Sequence, residues 1–323
     1  MKRGAPKKST SDFFEDSVDF HCGKGLELQK LCPKCTDEYD DHSLLKLIAI
    51  TYWVGIFAPI SHKQLRERYG YRIAYIDSMC GSGVTSTKKA GRFLCGSTPG
   101  AVISAEKRGF PFDIIFINDL DTRKVEVLKN RLGTITDTPV CSFSGDIWDN
   151  SMGIASKVRE KTTISYTVID PQGLKGMTWK ALFPLLSLKG DAMVTWFEND
   201  FLRLKAAASS EKEFAQADAD AARLTEIFGS EAWRSCQTGT ELTQLFIERV
   251  KNECSKEVCS AVRINRKNGQ YYLMLLFGGK FKNSEKLVNE WKKRLDDKIR
   301  SARNSDISTL IDIKIGGQKK LFS

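Results

Sequence analysis

The sequence predicts an α/β fold in which a mostly parallel sheet is flanked by helices. Short apolar runs rich in Ile, Val, Tyr and Phe recur along the chain, and three of them lead into a carboxylate, at Asp77, Asp119 and Asp170. Runs of this kind are typical of buried parallel strands. Because ligands bind at the carboxyl ends of the strands in an open α/β sheet, we expect these residues at a ligand-binding edge.

The predicted elements alternate along the chain, as parallel strands joined by crossover helices require. Apolar residues at helical spacing over 42–57 predict a helix that leads into the sheet. Five strands are predicted at 73–76, 113–117, 140–144, 165–169 and 192–197, with helices at 124–132 and 179–188 among them.

The C-terminal half is predicted to close the sheet with an antiparallel hairpin. A charged, Ala-rich stretch over 201–236 predicts a helical insertion after strand five, ending near residue 240, and a helix over 242–253 follows. Strands six and seven are expected at 258–264 and 271–277, because the intervening Lys267-Asn268-Gly269 is a hairpin signal.

Three segments follow from this order of elements. Residues 1–41 are expected to form a basic tail and a Cys-rich extension, disordered over 1–11 and irregular over 12–41. Residues 42–283 form the domain that contains the sheet. Residues 284–323 form a basic C-terminal helix and tail, and the acidic residues alternating with its lysines and arginines are typical of a solvated face, with nucleic-acid binding as the alternative.

Composition narrows the class of protein. The 323 residues carry 50 Lys and Arg against 40 Asp and Glu, a formal net charge of +10, which favours a polyanionic partner such as DNA or RNA. The sequence shows no run of about 18 apolar residues, which predicts that nothing spans a membrane. No apolar signal-peptide stretch follows the basic N-terminus, so we expect a cytoplasmic protein whose nine cysteines stay reduced or bind metal.

A glycine-rich turn, Gly81-Ser82-Gly83, follows the first strand, and its small residues let a ligand approach the backbone. A dinucleotide fingerprint would need a third glycine and an acid about 20 residues on, and neither is in place. We expect S-adenosylmethionine (SAM) instead, with Asp77 and the glycine turn facing its methionine part, Asp119 its ribose and Asp146 its adenine. The alternative is that Asp119 and Asp146 only cap the following helices.

With SAM as the ligand, the predicted fold class is a Rossmann-like class I methyltransferase sheet. Asp170-Pro171-Gln172-Gly173 then lies where the methyl acceptor binds, and it resembles the Asp/Asn-Pro-Pro-aromatic motif of methyltransferases that act on exocyclic amines. A carboxylate and a backbone carbonyl can accept both N–H bonds of an amine, while Pro171 stiffens the turn. Alignment of the amine, the methyl group and the sulfur supplies most of the catalysis in such a displacement.

Two positions depart from that motif. Gln172 replaces the second proline and Gly173 replaces the stacking aromatic residue, so the pattern looks closer to that of tRNA guanine-N2 dimethyltransferases. Trp179 is a candidate for the missing stacking platform, and a core aromatic residue at a helix start is the alternative. The whole motif also fits a turn that ends strand four without catalysis.

Taken together, the sequence resembles the three-Cys-motif partner proteins, a methyltransferase-like family. The resemblance covers roughly residues 42–320 and is carried by His42, Leu45, Trp53, Tyr75-Ile76-Asp77, Gly81-Ser82-Gly83, Gly96-Ser97-Thr98-Pro99-Gly100, Ile169-Asp170-Pro171-Gln172-Gly173-Leu174, Trp179, Ile227-Phe228-Gly229, Trp233 and Tyr271-Tyr272-Leu273. It implies a SAM-binding fold and, from the name of the family, a protein partner.

A cysteine cluster precedes this region. Cys32 and Cys35 flank Pro33-Lys34, a spacing at which two thiolates can bind one tetrahedral zinc ion, and Cys22 with His21 would complete four ligands. The adjacency of His21 and Cys22 makes shared coordination awkward, and the alternative is a set of thiols without metal.

These observations predict a SAM-dependent methyltransferase that acts on an exocyclic amine of a base in RNA or DNA. The alternative from another class is a catalytically inactive SAM-fold protein that binds nucleic acid or a protein partner. Methylation of a protein or a small molecule is a third interpretation, because the same cleft supports it.

Overall fold

The computed structural model describes residues 10–87, 92–174, 176–209, 214–266, 270–281, 283–299 and Ile311. The described helices are α1 Thr10–Leu31, α2 Ser43–Ser61, α3 Glu67–Tyr69, α4 Ser97–Lys107, α5 Thr122–Leu132, α6 Ile147–Arg159, α7 Trp179–Leu186, α8 Glu198–Ala208, α9 Phe214–Phe228, α10 Gly239–Glu253 and α11 Ser284–Ile299. The described strands are β1 Asp37–Tyr39, β2 Arg72–Asp77, β3 Val84–Thr87, β4 Phe93–Cys95, β5 Ile114–Asp119, β6 Val140–Ser144, β7 Thr163–Ile169, β8 Gly190–Trp196, β9 Lys256–Asn265 and β10 Tyr271–Gly279.

Seven strands form the main sheet in the order β6-β5-β2-β7-β8-β10-β9. The pairs from β6 to β8 are parallel, whereas β10 runs antiparallel to both β8 and β9. Every residue of β7 and β8 is buried, as expected for central parallel strands covered by helices on both faces. The predicted class I methyltransferase-type sheet, with its antiparallel C-terminal hairpin, is confirmed.

Most element boundaries agree with the sequence-based prediction to within a few residues. Strand β6 has the predicted bounds, and the helix expected over 42–57 is α2, which begins one residue later and runs on to Ser61. The charged stretch after β8 folds into α8 and α9, as the predicted insertion requires. The turn Lys267-Asn268-Gly269 and residues 1–9 lie outside the described residues.

Helix α2 is apolar along most of its length because it packs inside the protein. By length and composition, the continuous helical stretch Ser43–Tyr69 is long and apolar enough to cross a membrane, but 72% of its most apolar window is buried inside the fold. Its Trp53 donates a 3.1 Å hydrogen bond from Nε1 to the buried carboxylate of Asp191 on β8. This contact and the burial identify α2 as a core helix against the sheet.

The N-terminal extension corrects the prediction of irregular structure over 12–41. Most of it is the 22-residue helix α1, which buries Val18, Cys22 and Leu28. Gly25 lets α1 contact the backbone of β4, since a Cβ there would lie 2.5 Å from the Leu94 carbonyl carbon. The helix was missed because the apolar periodicity of the segment is weak. The residues that α1 contacts are distant in sequence, so no local pattern indicates them.

A second sheet of three short strands, β1, β3 and β4, was not predicted. Strand β3 leaves the glycine turn directly and pairs with β4 in an antiparallel hairpin before α4 begins. Strand β1 adds to the other side of β3 in parallel, with Asp37 opposite Thr85. The hairpin explains why the glycine turn is not followed at once by a helix, and β1 covers that turn.

The predicted basic C-terminal helix is α11, and its inner face belongs to the core of the same domain. Trp291 is fully buried, its ring meets Trp53 edge to face, and its Nε1 donates to the Ala49 carbonyl. Val288 and Leu295 are buried on the same face. The charged residues of α11 are left on its outer face, where Arg294 pairs with Glu290. The solvated-face interpretation therefore accounts for this helix, and Trp291 is an anchor.

Arg131, at the end of α5, holds the N-terminal extension against the glycine turn. Its side chain is buried, with 1% of the residue exposed. The guanidinium donates to four backbone carbonyls: Nε to Leu28 at 3.1 Å, Nη1 to Ser82 at 2.7 Å, and Nη2 to Cys32 and Cys35 at 3.0 Å each. One side chain thus connects α1, the loop that follows it, and the glycine turn.

We expect Arg131→Met to lower stability by about 3 kcal/mol or more, because methionine fills similar space but removes the four hydrogen bonds to these carbonyls. The expected fall in Tm is about 5 °C or more. Arg68→Met, at an exposed position of α3, is the matched control and should unfold like the parent. An Arg131→Met protein as stable as this control would contradict the assignment.

Candidate functional site

The glycine turn connects β2 to β3 at the carboxyl edge of the sheet. Gly81 and Gly83 have φ values of +60° and +81°, which residues with a Cβ adopt only with strain. A Cβ on Gly81 would lie 2.5 Å from the Asp37 carboxylate, and one on Gly83 would lie 2.6 Å from Leu128. Ser82 is fully buried and donates its hydroxyl to the Val84 carbonyl. The turn is therefore fixed on both sides.

Asp77, which was predicted to face the methionine part of SAM, is enclosed by protein. The residue is fully buried, and its Oδ2 accepts hydrogen bonds from the hydroxyls of Ser97 at 2.6 Å and Thr98 at 2.8 Å. Burial raises the pKa of Asp77 to about 6, and the two hydroxyl donors oppose the rise. Asp77 thus positions the first turn of α4 beside the glycine turn and acts on a ligand only indirectly.

A cavity of about 810 Å³ lies along the edge formed by β2, β5 and β6. Asp119 and Asp146 line it together with Met79, Leu120 and Ile147. The two carboxylates follow neighbouring parallel strands, so the sequence-based placement at successive strand ends is confirmed. The cavity therefore combines two acids with apolar surface, within the size range of small-molecule sites.

The two acids in this cavity have different local roles. Asp119 accepts hydrogen bonds from the backbone N–H groups of Gly81 at 2.9 Å and Asp121 at 3.0 Å, one on each oxygen. Asp146 caps α6 by accepting from the Trp148 N–H, as the capping alternative proposed, whereas α5 is capped by Asp121. A carboxylate has about four acceptor positions, so both acids keep acceptor capacity toward the cavity.

A second, smaller cavity of about 30 Å³ adjoins the first at Met79. Its lining comes from the glycine turn, from Asp170 and from other residues of the N-terminal half. The lining residues are Asp37, Tyr39, Ser43, Lys46, Leu47, Met79, Cys80, Gly81, Gly83, Thr85, Gly96, Ser97 and Asp170. Its volume is about that of one or two water molecules. The edge of the sheet thus holds one large compartment and one small compartment.

Asp170 lies in the small compartment and is held from two sides. Its Oδ2 lies 2.6 Å from the Lys46 ammonium, and its Oδ1 accepts a 2.7 Å hydrogen bond from the Thr195 hydroxyl. Only 13% of the Asp170 side chain and 11% of the Lys46 side chain are exposed. The motif carboxylate is therefore ion-paired and oriented, which a plain turn residue does not require.

Of the other motif residues, Gln172 lines a compartment, whereas Pro171 and Gly173 line neither. Pro171 is buried behind the turn, whereas Gln172 lines the large cavity and donates from Nε2 to the hydroxyl of Tyr39. Gly173 has a φ of +83° and open space where a Cβ would point. Burial, followed by the negative charge of Asp170, raises the pKa of the Tyr39 phenol, which stays protonated.

Asp37 was missed by the sequence analysis although it holds the glycine turn from above. Its Oδ2 accepts the Ser82 N–H at 2.6 Å, and its Oδ1 lies 2.6 Å from the Lys124 ammonium. Asp37 comes from a three-residue strand without a local pattern. Lys46 had a usable signal, because it is the single charged residue in the apolar sequence of α2.

The expected zinc site on Cys22, Cys32, Cys35 and His21 is not formed. Within the part of the chain that the structure describes, no group of three His, Cys, Asp or Glu side chains could hold a metal ion. His21 is buried, donates from Nδ1 to the Cys95 carbonyl at 2.8 Å, and has its pKa lowered to about 4 by burial. The Cys-Pro-x-Cys spacing forms a turn after α1 whose carbonyls bind Arg131.

Trp179 belongs to the core, as the second interpretation of this residue proposed. It is 8% exposed and meets Phe183 and Phe246 in an aromatic cluster. The Arg249 guanidinium lies 4.2 Å from its ring centroid, and Gly229 packs against it. Trp179 lines neither compartment of the site and is no stacking platform.

Comparison with known proteins finds likeness at the level of solved structures. No protein-family model matches the sequence, and no curated protein matches it. Trm1 from Pyrococcus horikoshii, solved with S-adenosyl-L-methionine, is 13% identical with a TM-score of 0.41, over 77% of this chain and 58% of that chain. Human methyltransferase-like protein 13, solved with SAH, is 12% identical with a TM-score of 0.36, over 82% and 94%.

An rRNA methylase from Streptococcus thermophilus is 13% identical with a TM-score of 0.33, over 68% of this chain and 95% of that chain. The chain spans little more than half the length of Trm1. These proteins are distant from this chain, and the assignment of the fold rests on the strand order given above.

The raised pKa of Asp77 predicts a pH dependence of stability. In the unfolded chain this carboxyl titrates near pH 3.8, so between about pH 4 and 6 the folded protein binds more protons and its stability falls as the pH rises. Below about pH 4 this carboxyl is protonated in both the folded and the unfolded chain, so it does not contribute to the pH dependence of stability. In Asp77→Asn this component should vanish, so the stability of the parent relative to the variant should decrease from pH 4 to 6 in denaturant titrations. A constant or rising difference would contradict the assignment.

Proposed function

We propose that this protein is a SAM-dependent methyltransferase that acts on an exocyclic amine of a nucleic-acid base. The observation that carries the proposal is the pair of carboxylates, Asp119 and Asp146, at neighbouring strand ends in the large cavity beside the glycine turn. A third carboxylate, Asp170, lies at the adjoining small cavity. The site therefore offers one compartment for a nucleoside-like ligand and one for an acceptor.

The residues of the large cavity fit SAM. Asp119 has acceptor positions left for ribose hydroxyls, Asp146 has one carboxylate oxygen outside its capping bond for an adenine amino group, and Ile147 and Met79 offer apolar surface. The Cβ-free Gly81 and Gly83 shape the turn toward which the methionine part would extend. When bound, SAM supplies a reactive methyl group on a sulfonium.

The chain's own contribution to transfer is orientation of the amine. Asp170 is fixed by Thr195 and Lys46, so its remaining acceptor positions are directed before an amine arrives. Transfer would form the N–C bond as the S–C bond of the sulfonium breaks, and the nitrogen would then release one proton to solvent. Asp170 would accept a hydrogen bond from the N–H group that carries this proton. Such preorganisation lowers the barrier because the acceptor does not have to be aligned in the transition state.

A nucleic-acid substrate is supported by the net charge of +10 and by the resemblance of the motif to that of methyltransferases that act on exocyclic amines. An inactive SAM-fold binding module is the second candidate, because the acceptor carboxylate is ion-paired and its compartment has a volume of only about 30 Å³. Incubation with labelled SAM and separate RNA, DNA and protein fractions distinguishes them. Label in nucleic acid supports the enzyme, and SAM binding without transfer to any fraction supports the module.

Membership of the three-Cys-motif partner family and cytoplasmic location stay predictions.

We expect Asp119→Ala to weaken SAM binding by about 1.5 to 3 kcal/mol, because charge-assisted hydrogen bonds to the ribose are lost. Calorimetry with SAM measures the change. Asp149→Ala, on the exposed surface of α6, is the control and should bind like the parent. If Asp119→Ala bound SAM as tightly as this control, the proposed ribose contact would be wrong.

We expect Asp170→Ala to lower turnover by about 100-fold or more while SAM affinity changes little, because the interaction is made mainly in the transition state. Asp170→Asn keeps one acceptor oxygen and should retain partial activity. Asp113→Asn is the control, since Asp113 is also ion-paired, to Arg66, but lies at the opposite end of the sheet. Full methylation by a folded Asp170→Ala protein would remove this residue from the mechanism.

A further inference from the structure

The ammonium of Lys46 lies between the Asp170 carboxylate and the Tyr39 ring, two groups that could bind a planar amine. It lies 2.6 Å from the Asp170 carboxylate and, at the same time, 5.2 Å from the centroid of the Tyr39 ring. An amine nitrogen at this point would therefore meet a carboxylate acceptor on one side and an aromatic face on the other. Both groups line the small compartment.

Tyr39 is well placed to replace the aromatic residue that the motif lacks. Among the described residues that line the two compartments, it is the only aromatic one. Its hydroxyl accepts the hydrogen bond from Gln172, so it is attached to the motif itself although β1 delivers it from far away in the sequence. Trp179, the other candidate platform, is enclosed in the core.

Gly173 provides the space that a stacked ring needs. Among the residues that the structure describes, none has an atom within 4 Å of the position where the Cβ of Gly173 would be, apart from its chain neighbours, and its φ of +83° disfavours any other residue. The neighbouring Gln172 is exposed and lines the large cavity. Where the related motif carries an aromatic side chain, this chain therefore has a glycine, and the described residues leave the space beside it open.

We propose that Tyr39 is the stacking platform for the acceptor base, and that the base enters by displacing the Lys46 ammonium from Tyr39 and Asp170. This inference deepens the proposed function and rests on it for the identity of the acceptor as a nucleic-acid base. Lysine has a long flexible side chain, so its ammonium can leave the compartment for water. Asp170 keeps the Thr195 hydroxyl bond during the exchange and gains the N–H of the incoming amine.

The exchange makes Tyr39 a determinant of substrate affinity. Stacking of a base on an aromatic ring contributes about 1 to 3 kcal/mol, so Tyr39→Leu should weaken binding of a mixed-sequence single-stranded RNA or DNA by about 5- to 150-fold. KM for the same strand should rise by a similar factor, with kcat and SAM affinity close to those of the parent. Tyr39→Phe keeps the ring and loses only the bond from Gln172, so it should weaken strand binding far less than Tyr39→Leu. Tyr69→Leu, at an exposed tyrosine of α3, is the control.

The experiment measures strand binding in the presence of S-adenosylhomocysteine, label transfer from SAM, and the mass of the peptide that contains Lys46. Strand binding that is weakened by Tyr39→Leu much more than by Tyr39→Phe, and not by Tyr69→Leu, supports the inference. It does so even if no label is transferred, in which case the proposed enzyme fails alone. Transfer to nucleic acid that is indifferent to Tyr39→Leu overturns the inference and leaves the enzyme standing. A parent that binds neither strand overturns it too, as does methylation of Lys46 itself with nucleic acid unmodified.

Discussion

The buried guanidinium of Arg131 is the constraint on which the architecture of the site depends. A charged group with 1% exposure is stable only if its donors are satisfied, and here four backbone carbonyls satisfy them. These carbonyls belong to the end of α1, to the loop after it and to the glycine turn. Because one rigid planar group binds all three, the N-terminal extension and the turn keep a fixed relative position.

From that attachment, the short strand β1 completes the site. Asp37 accepts the Ser82 N–H and pairs with Lys124. Tyr39, two residues after Asp37, accepts the hydrogen bond from Gln172. Alternate residues of a strand point to the same face, so both side chains point toward the site. The N-terminal extension is thus a part of the site, although the sequence analysis placed it outside the domain.

The sequence revealed what local patterns encode. Apolar runs that end in Asp119 and before Asp146 predicted both residues at one edge, because strand burial and the position of the following loop are local properties. It could not reveal that Asp77 faces Ser97 and Thr98, since the intervening hairpin β3-β4 returns the chain to this point. Tyr39 and Gln172 are 133 positions apart, and no periodicity relates them. The Cys-Pro-x-Cys spacing misled because the same short turn serves to present carbonyls to Arg131.

The carboxylates of the site differ in the partners that they bind. In the small compartment, Asp37 and Asp170 each bind a lysine, whereas the hydrogen bonds of Asp119 and Asp146 in the large cavity come from neutral backbone N–H groups. In the proposed complex, Asp119 and Asp146 would bind the ribose and the adenine, while the Lys124 ammonium, which also lines the large cavity, stays paired with Asp37. A neutral amine in the small compartment must instead compete with an ammonium for Asp170. Cofactor and acceptor would therefore bind under different constraints, the first to a preformed surface and the second by exchange with Lys46.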